Sequence, residues 1–110
     1  MKVERKGHTT IIRNTRGKTL EFLNILTTEY NTFKNHNLII DLLQDKELTL
    51  DDVKSFIDLT KTHRKGKKSL VLVADNVNYT AVPDSITLVP TILEAHDIIE
   101  MEEIERDLGF

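Results

Sequence analysis

The stretch Leu38-Ile39-Ile40-Asp41-Leu42-Leu43 decides the predicted fold of this chain. It lies between Asn35-His36-Asn37 and the charged segment 44–47, which leaves too little length for a helix. A short apolar run of this kind is typical of a strand that is buried on both faces of a parallel sheet. Residues 69–74, Ser-Leu-Val-Leu-Val-Ala, have the same character. The sequence therefore predicts two central parallel strands.

Amphipathic helices are predicted on either side of these strands. In residues 19–33 apolar side chains recur every three or four positions, which predicts a helix with one buried face; the apolar positions are Leu20, Phe22, Leu23, Ile25, Leu26, Tyr30 and Phe33. A second helix is predicted after Thr49, because Thr49 and Asp52 have the spacing of a capping box. Gly66 is expected to end that helix in the left-handed conformation.

A last helix is predicted after Thr91, where Thr91 and Glu94 repeat the capping spacing. Its acidic side chains are expected to stay in solvent. Its inward face is expected to contain Ile92, Ala95, Ile98, Ile99 and Leu108.

Two further segments complete the predicted sheet. Residues 2–15 alternate around Gly7, which indicates a hairpin or two short strands, and residues 86–89 form a third short strand that Pro90 ends. We therefore predict an α/β fold with a single domain over residues 1–110. Its mixed sheet of about four to five strands has an N-terminal hairpin and packs against three main helices.

The composition excludes several classes of protein. The 110 residues include 15 basic and 18 acidic side chains, a formal charge of −3, and no Cys. Without Cys there is no disulfide, no thiolate nucleophile and no zinc site built on sulfur. No apolar run approaches the roughly 20 residues that cross a bilayer, and the first eight residues lack the apolar segment of a signal peptide. We therefore expect a soluble, cytoplasmic protein with no membrane partner.

The sequence lacks the common motifs of nucleotide-dependent enzymes and hydrolases. There is no GxGxxG, no GxxxxGK[ST] and no GxSxG. The four histidines occur in separate elements and never as HxH or HExxH, which makes them a poor zinc set; they are His8, His36, His63 and His96. We expect an ordinary helical pair between His96 and Glu100 and a helix-dipole role for His63. The sequence thus predicts no enzymatic activity, no cofactor and no metal site.

Two aspartates follow the buried strands, at the edge of the sheet where α/β proteins commonly bind ligands. They are Asp41 and Asp75. We expect each carboxylate to accept hydrogen bonds from backbone amides of the following loop, since such local bonds form readily.

The charges are unevenly distributed along the chain. Residues 1–18 hold six basic side chains against Glu4, whereas residues 91–110 hold seven acids against Arg106. Between residues 61 and 68 all charges are positive, and these side chains are candidates for contact with nucleic acid or an acidic partner: Lys61, Arg64, Lys65, Lys67 and Lys68. The alternative is a solubilising face whose helix end complements the dipole. Complementary acidic and basic faces also suit a protein partner or self-association.

The element order, and the strand 38–42 followed by a loop and a capped helix, resembles the STAS domains of anti-sigma factor antagonists. In that family an LxLDL-like strand leads to a D-S-[ST]-G motif at the next helix start, and the last helix opens with [ST]-x-x-E-A. Here these patterns fall on Thr49-Leu50-Asp51-Asp52 and on Thr91-Ile-Leu-Glu94-Ala95. The resemblance covers nearly the whole chain. It implies a regulatory domain without catalytic activity that binds a protein partner through the helix starting near Thr49.

The chain departs from the STAS motif at its functional position. Leu50 stands where the family has its phosphorylated serine, and Asp52 replaces the glycine. The resemblance therefore implies partner binding by Thr49, Leu50, Asp51 and Asp52 without the serine phosphorylation switch. Thr49 is either a helix cap or a displaced phosphoacceptor. Asp51 and Asp52 either stabilise the helix start or imitate a permanently phosphorylated surface.

The C-terminal run 89–110 is also similar to short bacterial proteins, chiefly from Bacteroidetes, that are often labelled ribonuclease Z. That enzyme family uses two zinc ions held by an HxHxDH motif, which does not occur here. An alternative function is therefore a nucleic-acid-binding accessory of RNA processing that uses the basic segment and the hairpin. A small hydrolase is a third and weaker hypothesis. We expect a monomer, or a weak homodimer that pairs through the exposed sheet edge.

Overall fold

The apolar run at residues 38–43 supplies the central strand of the sheet. The computed structural model describes residues 1–109, so Phe110, the last residue of the predicted domain, lies outside the described residues. In this part of the chain the strands are β1 (Lys2–Lys6), β2 (Thr9–Arg13), β3 (Asn37–Asp41), β4 (Leu70–Val73) and β5 (Leu88–Val89). They are ordered β1-β2-β3-β4-β5, with β1 antiparallel to β2 and the other pairs parallel.

The helices are α1 (Thr19–Thr28), α2 (Tyr30–Phe33), α3 (Leu50–Lys54), α4 (Ile57–Lys65) and α5 (Ile92–Asp107). A short 3-10 helix (Tyr79–Ala81) lies between β4 and β5. The predicted α/β class is confirmed, with its mixed sheet, N-terminal hairpin and three main helices, α1, α4 and α5.

Alternate residues of the strands build two cores, one on each face of the sheet. Ile40 and Leu72 belong to the larger core, with Phe22, Leu26 and Phe56 from the helices α1 to α4 and their connections. Since the strand order follows the chain order, right-handed crossovers place all the helices before β4 on this one face.

The second core lies beneath α5. Ile39 and Val71 pack there with Ala95 and Ile99. Because β2, β3 and β4 are parallel, their carboxyl ends lie together at one edge of the sheet, which we call the carboxyl edge. Their first residues form the opposite edge, the amino edge.

Two of the predicted helices are interrupted. The helix predicted over residues 19–33 breaks at Glu29, whose backbone (φ −95°, ψ 9°) leaves the helical region. The helix predicted after Thr49 breaks at residues 55–56, where the Phe56 amide bonds to Val53 in a tight turn and the Phe56 side chain is fully buried. Periodicity alone does not distinguish a broken helix from a continuous one, because both bury residues at similar spacing.

The third short strand is shorter than predicted. The Ile86 amide bonds to the carbonyl of Pro83 in a turn, so pairing with β4 begins only after it. The prediction that Gly66 adopts the left-handed conformation is wrong, because Gly66 has φ −78° and Lys67 has φ 60°.

Three apolar side chains assigned to inward faces are exposed instead. Leu20 and Ile25 of α1 are 52% and 48% exposed, and Leu108 is 66% exposed. Phe22 and Leu26 already fill the contact of α1 with the core, and Leu108 follows the last residue of α5.

Candidate functional site

The start of α3 is held by the capping box that the sequence predicts. The Asp52 amide donates to Thr49 Oγ1 at 3.1 Å, and the Thr49 amide donates to Asp52 Oδ2 at 3.0 Å. Leu48 and Val53, on either side of the cap, are both buried in the larger core. Thr49 and Asp51 are exposed, while Leu50 and Asp52 are half-buried. The predicted site residues thus form one surface turn with a fixed backbone.

A groove of about 350 Å³ joins this turn to the loop between β2 and α1. We call it the docking groove. Leu20 lies on it half-exposed, beside the carboxylates of Glu21, Glu47 and Asp52. The groove is lined by Gly17, Lys18, Thr19, Leu20, Glu21, Asp45, Glu47 and Asp52. An apolar side chain in a lining where acids outnumber the single cation, Lys18, can accept a partner that offers both apolar and basic groups.

Asp45 connects the two walls of the docking groove. Its Oδ2 accepts from the amide and the hydroxyl of Thr19, at 3.3 and 2.5 Å, and its Oδ1 accepts from the Glu47 amide at 3.0 Å. Lys18, the N-cap of α1, makes no side-chain cap bond. The buried Asp45 carboxylate therefore caps α1 from another loop, at the positive end of the helix dipole. Sequence reasoning missed this role, whose only local signal is the Asp45 to Glu47 turn.

Asp41 makes the local bond that the sequence predicts and one long-range bond. Its Oδ1 accepts from the Leu43 amide at 2.9 Å, and its Oδ2 accepts from Arg13 Nε at 3.2 Å. Arg13 also donates to Glu4 at 2.8 Å, and this bond lowers the pKa of Glu4. Asp41 is therefore part of an ionic chain across β1, β2 and β3. The same expectation is wrong for Asp75, which is exposed and whose carboxylate accepts no hydrogen bond within residues 1–109.

The basic segment, residues 61–68, meets the acidic helix α5 within the same molecule. Arg64 Nη2 lies 3.6 Å from Glu102 Oε2 and donates to the hydroxyl of Thr87 at 2.9 Å. Lys61, Lys65 and Lys67 are exposed, and Lys68 is half-buried. Some of the basic and acidic side chains that the sequence makes available to a partner therefore pair with each other inside the molecule.

The prediction that all the acids of α5 stay in solvent is wrong for two of them. Glu102 accepts from the Ser69 hydroxyl at 2.5 Å, and Glu103 accepts from Asn37 Nδ2 at 3.2 Å. Asn37 and Ser69 are buried at the amino edge of the sheet, where their polar groups need partners. Arg106 adds a bond to the Ser69 hydroxyl oxygen at 3.1 Å.

His36 lies at the amino edge between the hairpin and the end of the basic segment, because Thr10 Oγ1 lies 3.2 Å from His36 Nδ1 and the nearby Leu38 amide donates to the Ser69 carbonyl at 2.8 Å. Burial lowers the pKa of His36 first, and the positive charges of Arg5, Lys68 and His8 lower it further. We call these four residues the amino-edge basic cluster. Its members come from three separate segments of the sequence, which gives no local signal that they lie at one edge of the sheet.

The sequence predicts that His63 is a helix-dipole partner. This prediction is wrong, because His63 is fully buried. His63 Nε2 bonds to the His36 carbonyl oxygen at 2.7 Å, and Nδ1 bonds to the Tyr30 hydroxyl at 2.7 Å. Since a carbonyl oxygen only accepts, Nε2 carries the proton and Nδ1 of the neutral ring accepts from Tyr30. Burial lowers the pKa of His63, which favours this neutral form.

The predicted pair of His96 and Glu100 does not form a hydrogen bond. His96 Nε2 is buried and has no partner among the described residues. Within residues 1–109, no three His, Asp or Glu side chains are grouped so that they could hold a metal ion. No helix in this part of the chain is long and apolar enough to cross a membrane.

Compared with protein-family models and with curated protein sequences, the chain matches none of them.

Proposed function

We propose that this chain is a regulatory domain without catalytic activity that binds a protein partner at the docking groove and the exposed turn of α3. The observation that carries the proposal is the groove itself, because it joins Asp52 to the β2–α1 loop and leaves Leu20 52% exposed on it. The STAS resemblance supports the same surface, since its motif falls on residues 49–52. The cytoplasmic location expected from the sequence is part of this proposal.

The chemistry of the groove indicates the kind of partner. Glu21, Glu47 and Asp52 line the groove and exposed Asp51 lies on the same turn, so the rim is negative although Lys18 also lines it. Leu20 supplies an apolar centre. Protein interfaces commonly combine an apolar centre with a polar rim. The partner should therefore present a basic surface with an apolar side chain, and its association should weaken as salt screens the rim charges.

Binding by this surface would not depend on serine phosphorylation. Leu50 has no hydroxyl, and Thr49 Oγ1 accepts the helix cap bond from Asp52. Asp51 and Asp52 supply a permanent negative charge directly after Leu50, which stands where the STAS motif has its phosphorylated serine. The proposed domain is thus constitutively competent for binding.

Photo-cross-linking tests the proposed surface. A photoreactive amino acid at exposed Asp51 should cross-link one protein in an extract of the native cell, at low salt. The same group at exposed Asp97 of α5 is the matched control and should not trap that protein. The proposal is overturned if position 51 gives no specific product, or if both positions trap the same proteins.

Nucleic-acid binding is a second candidate, favoured by the amino-edge basic cluster. The positive charges of Arg5 and Lys68 both act on His36, and exposed Lys65 and Lys67 belong to the adjoining segment. A fluorescent single-stranded RNA should then bind, and its affinity should fall as salt rises. A plot of the logarithm of the association constant against the logarithm of the salt concentration should have a slope of about −0.7 for each phosphate contacted. The Lys67→Gln/Lys68→Gln variant should reduce that slope. Absence of binding at low salt would remove this candidate.

The charges on β1, the outer strand of the sheet, support a proposal about the oligomeric state. β1 forms that edge and pairs on one side only, and it carries Lys2, Arg5 and Lys6. Such charges oppose pairing between the edges of two sheets. We therefore propose that the domain acts as a monomer or, at most, a weak homodimer.

A further inference from the structure

A second cavity, of about 270 Å³, lies on the same β2–α1 loop as the docking groove. We call it the loop cavity. Its position at the end of β2 places it on the carboxyl edge of the sheet, where α/β proteins commonly bind small ligands. It is lined by Met1, Asn14, Arg16, Lys18, Glu21, Phe22 and Ile25.

Asn14 is the unusual residue in this wall. It is only 2% exposed. Its backbone amide bonds to the Asp41 carbonyl at 3.0 Å, and its Oδ1 accepts from the Arg16 amide at 3.2 Å. These bonds fix the side chain, yet Nδ2 has no hydrogen-bond partner among residues 1–109. A buried donor without an acceptor is unfavourable, so the cavity wall is suited to a ligand that supplies an acceptor.

The other residues that line the cavity indicate the charge and the polarity of the ligand. Arg16 and Lys18 are exposed and, within the described chain, form no ion pair, so together they outweigh the single acid Glu21. Phe22 is buried and Ile25 is half-exposed, which gives the cavity an apolar surface. One buried donor, two cations and an apolar wall together favour an anion that carries a short hydrocarbon tail.

We propose that the loop cavity binds a small aliphatic carboxylate. Asn14 Nδ2 donates to a carboxylate oxygen, Arg16 and Lys18 neutralise the charge, and Phe22 and Ile25 cover the tail. The site is built from residues of the β2–α1 loop and α1, together with Met1. It shares Lys18 and Glu21 with the docking groove, but its test uses no protein partner, so either proposal can fail without the other.

Octanoate is the probe that tests this site. Titrated into the isotope-labelled chain, it should shift the backbone resonances of residues 14–25 and the side-chain amide of Asn14. Acetate, which lacks the tail, and octylamine, which reverses the charge, should each bind at least about tenfold more weakly. The proposal is overturned if octylamine binds as well as octanoate. It is also overturned if octanoate instead shifts the exposed apolar residues of α5, namely Leu93, Met101 and Ile104.

Three variants locate the binding groups. Asn14→Asp keeps an acceptor for the Arg16 amide but replaces the free donor with a negative charge, so octanoate affinity should fall at least about tenfold. Arg16→Gln removes an exposed charge without touching the core and should also weaken binding several-fold, which keeps the test decisive if Asn14→Asp does not fold. Arg5→Gln on the hairpin is the matched control and should leave affinity unchanged. Equal affinity for the Arg16→Gln and Arg5→Gln variants would refute the site.

Discussion

Acidification from about pH 7.5 to about pH 5.5 should destabilise this protein through His63, whose ring is fully buried. Burial lowers the pKa of His63, and the positive charges of Lys68, Arg106 and Arg64 lower it further, while the bond to the His36 carbonyl raises it. Protonation would also put a proton on Nδ1, which now accepts from Tyr30. The folded state therefore holds the neutral ring.

The size of the effect follows from proton linkage. In the unfolded chain the pKa of His63 is about 6.5. Below that pH the unfolded chain binds a proton that the folded chain does not, so stability is lost as the pH falls. One such group contributes up to about 1.4 kcal/mol between pH 7.5 and 5.5. His36, whose pKa is also lowered, adds a contribution of the same sign.

Urea denaturation at several pH values across this range measures the effect. His63→Gln provides a side chain that does not titrate, so its unfolding free energy should lose most of the pH dependence seen in the wild type, whatever its stability at neutral pH. The His36→Asn variant measures the separate contribution of His36 to the pH dependence. If His63→Gln retains the full pH dependence of the wild type, the reasoning from the buried neutral ring is refuted.

The remaining predictions concern the bonds that hold the site and the core. Tyr30→Phe leaves His63 Nδ1 without its partner and should cost about 1–3 kcal/mol of unfolding free energy; an unchanged urea midpoint would show that the bond adds nothing. Asp45→Ala removes the cap of α1 and should cost about 0.5–2 kcal/mol, with faster amide exchange at the start of α1. Exchange that stays slow there would rule out the capping role. Thr49→Ala removes the cap acceptor of α3 and should lower stability by about 1 kcal/mol in the same denaturation assay, whereas Thr49→Ser should match the wild type. Equal losses of stability in the two Thr49 variants would mean that the Thr49 hydroxyl does not stabilise the start of α3.

The features of the fold that local sequence specifies could be predicted. The apolar run at residues 38–43 predicts a buried strand because both faces of β3 are covered by helices, and the spacing of Thr49 and Asp52 predicts their capping box. The breaks at Glu29 and Phe56 could not be predicted, since residues on both sides of each break still face the same core.

The long-range contacts of the site lay beyond sequence reasoning. Asp45 caps a helix that begins 26 residues before it, and Tyr30 bonds to a histidine 33 residues away. Such pairs leave no periodic pattern in the chain. Leu20 illustrates the opposite error, because its spacing assigns it to the core although it lies half-exposed on the docking groove. Periodicity identifies a helix more reliably than it identifies which apolar residues the helix buries.

The central claim is tested most directly by measuring how tightly the purified cross-linked partner binds two double variants. Asp51→Asn/Asp52→Asn removes two rim charges, while the asparagine introduced at the second position keeps a side-chain oxygen that can accept from the Thr49 amide. Exposed ion pairs contribute roughly 0.2–1 kcal/mol each, so the loss of two should weaken binding at low salt by roughly 2- to 30-fold. The control Asp97→Asn/Asp107→Asn makes the same charge change on exposed positions of α5 and should bind like the wild type. Equal affinities for the two double variants would contradict the account.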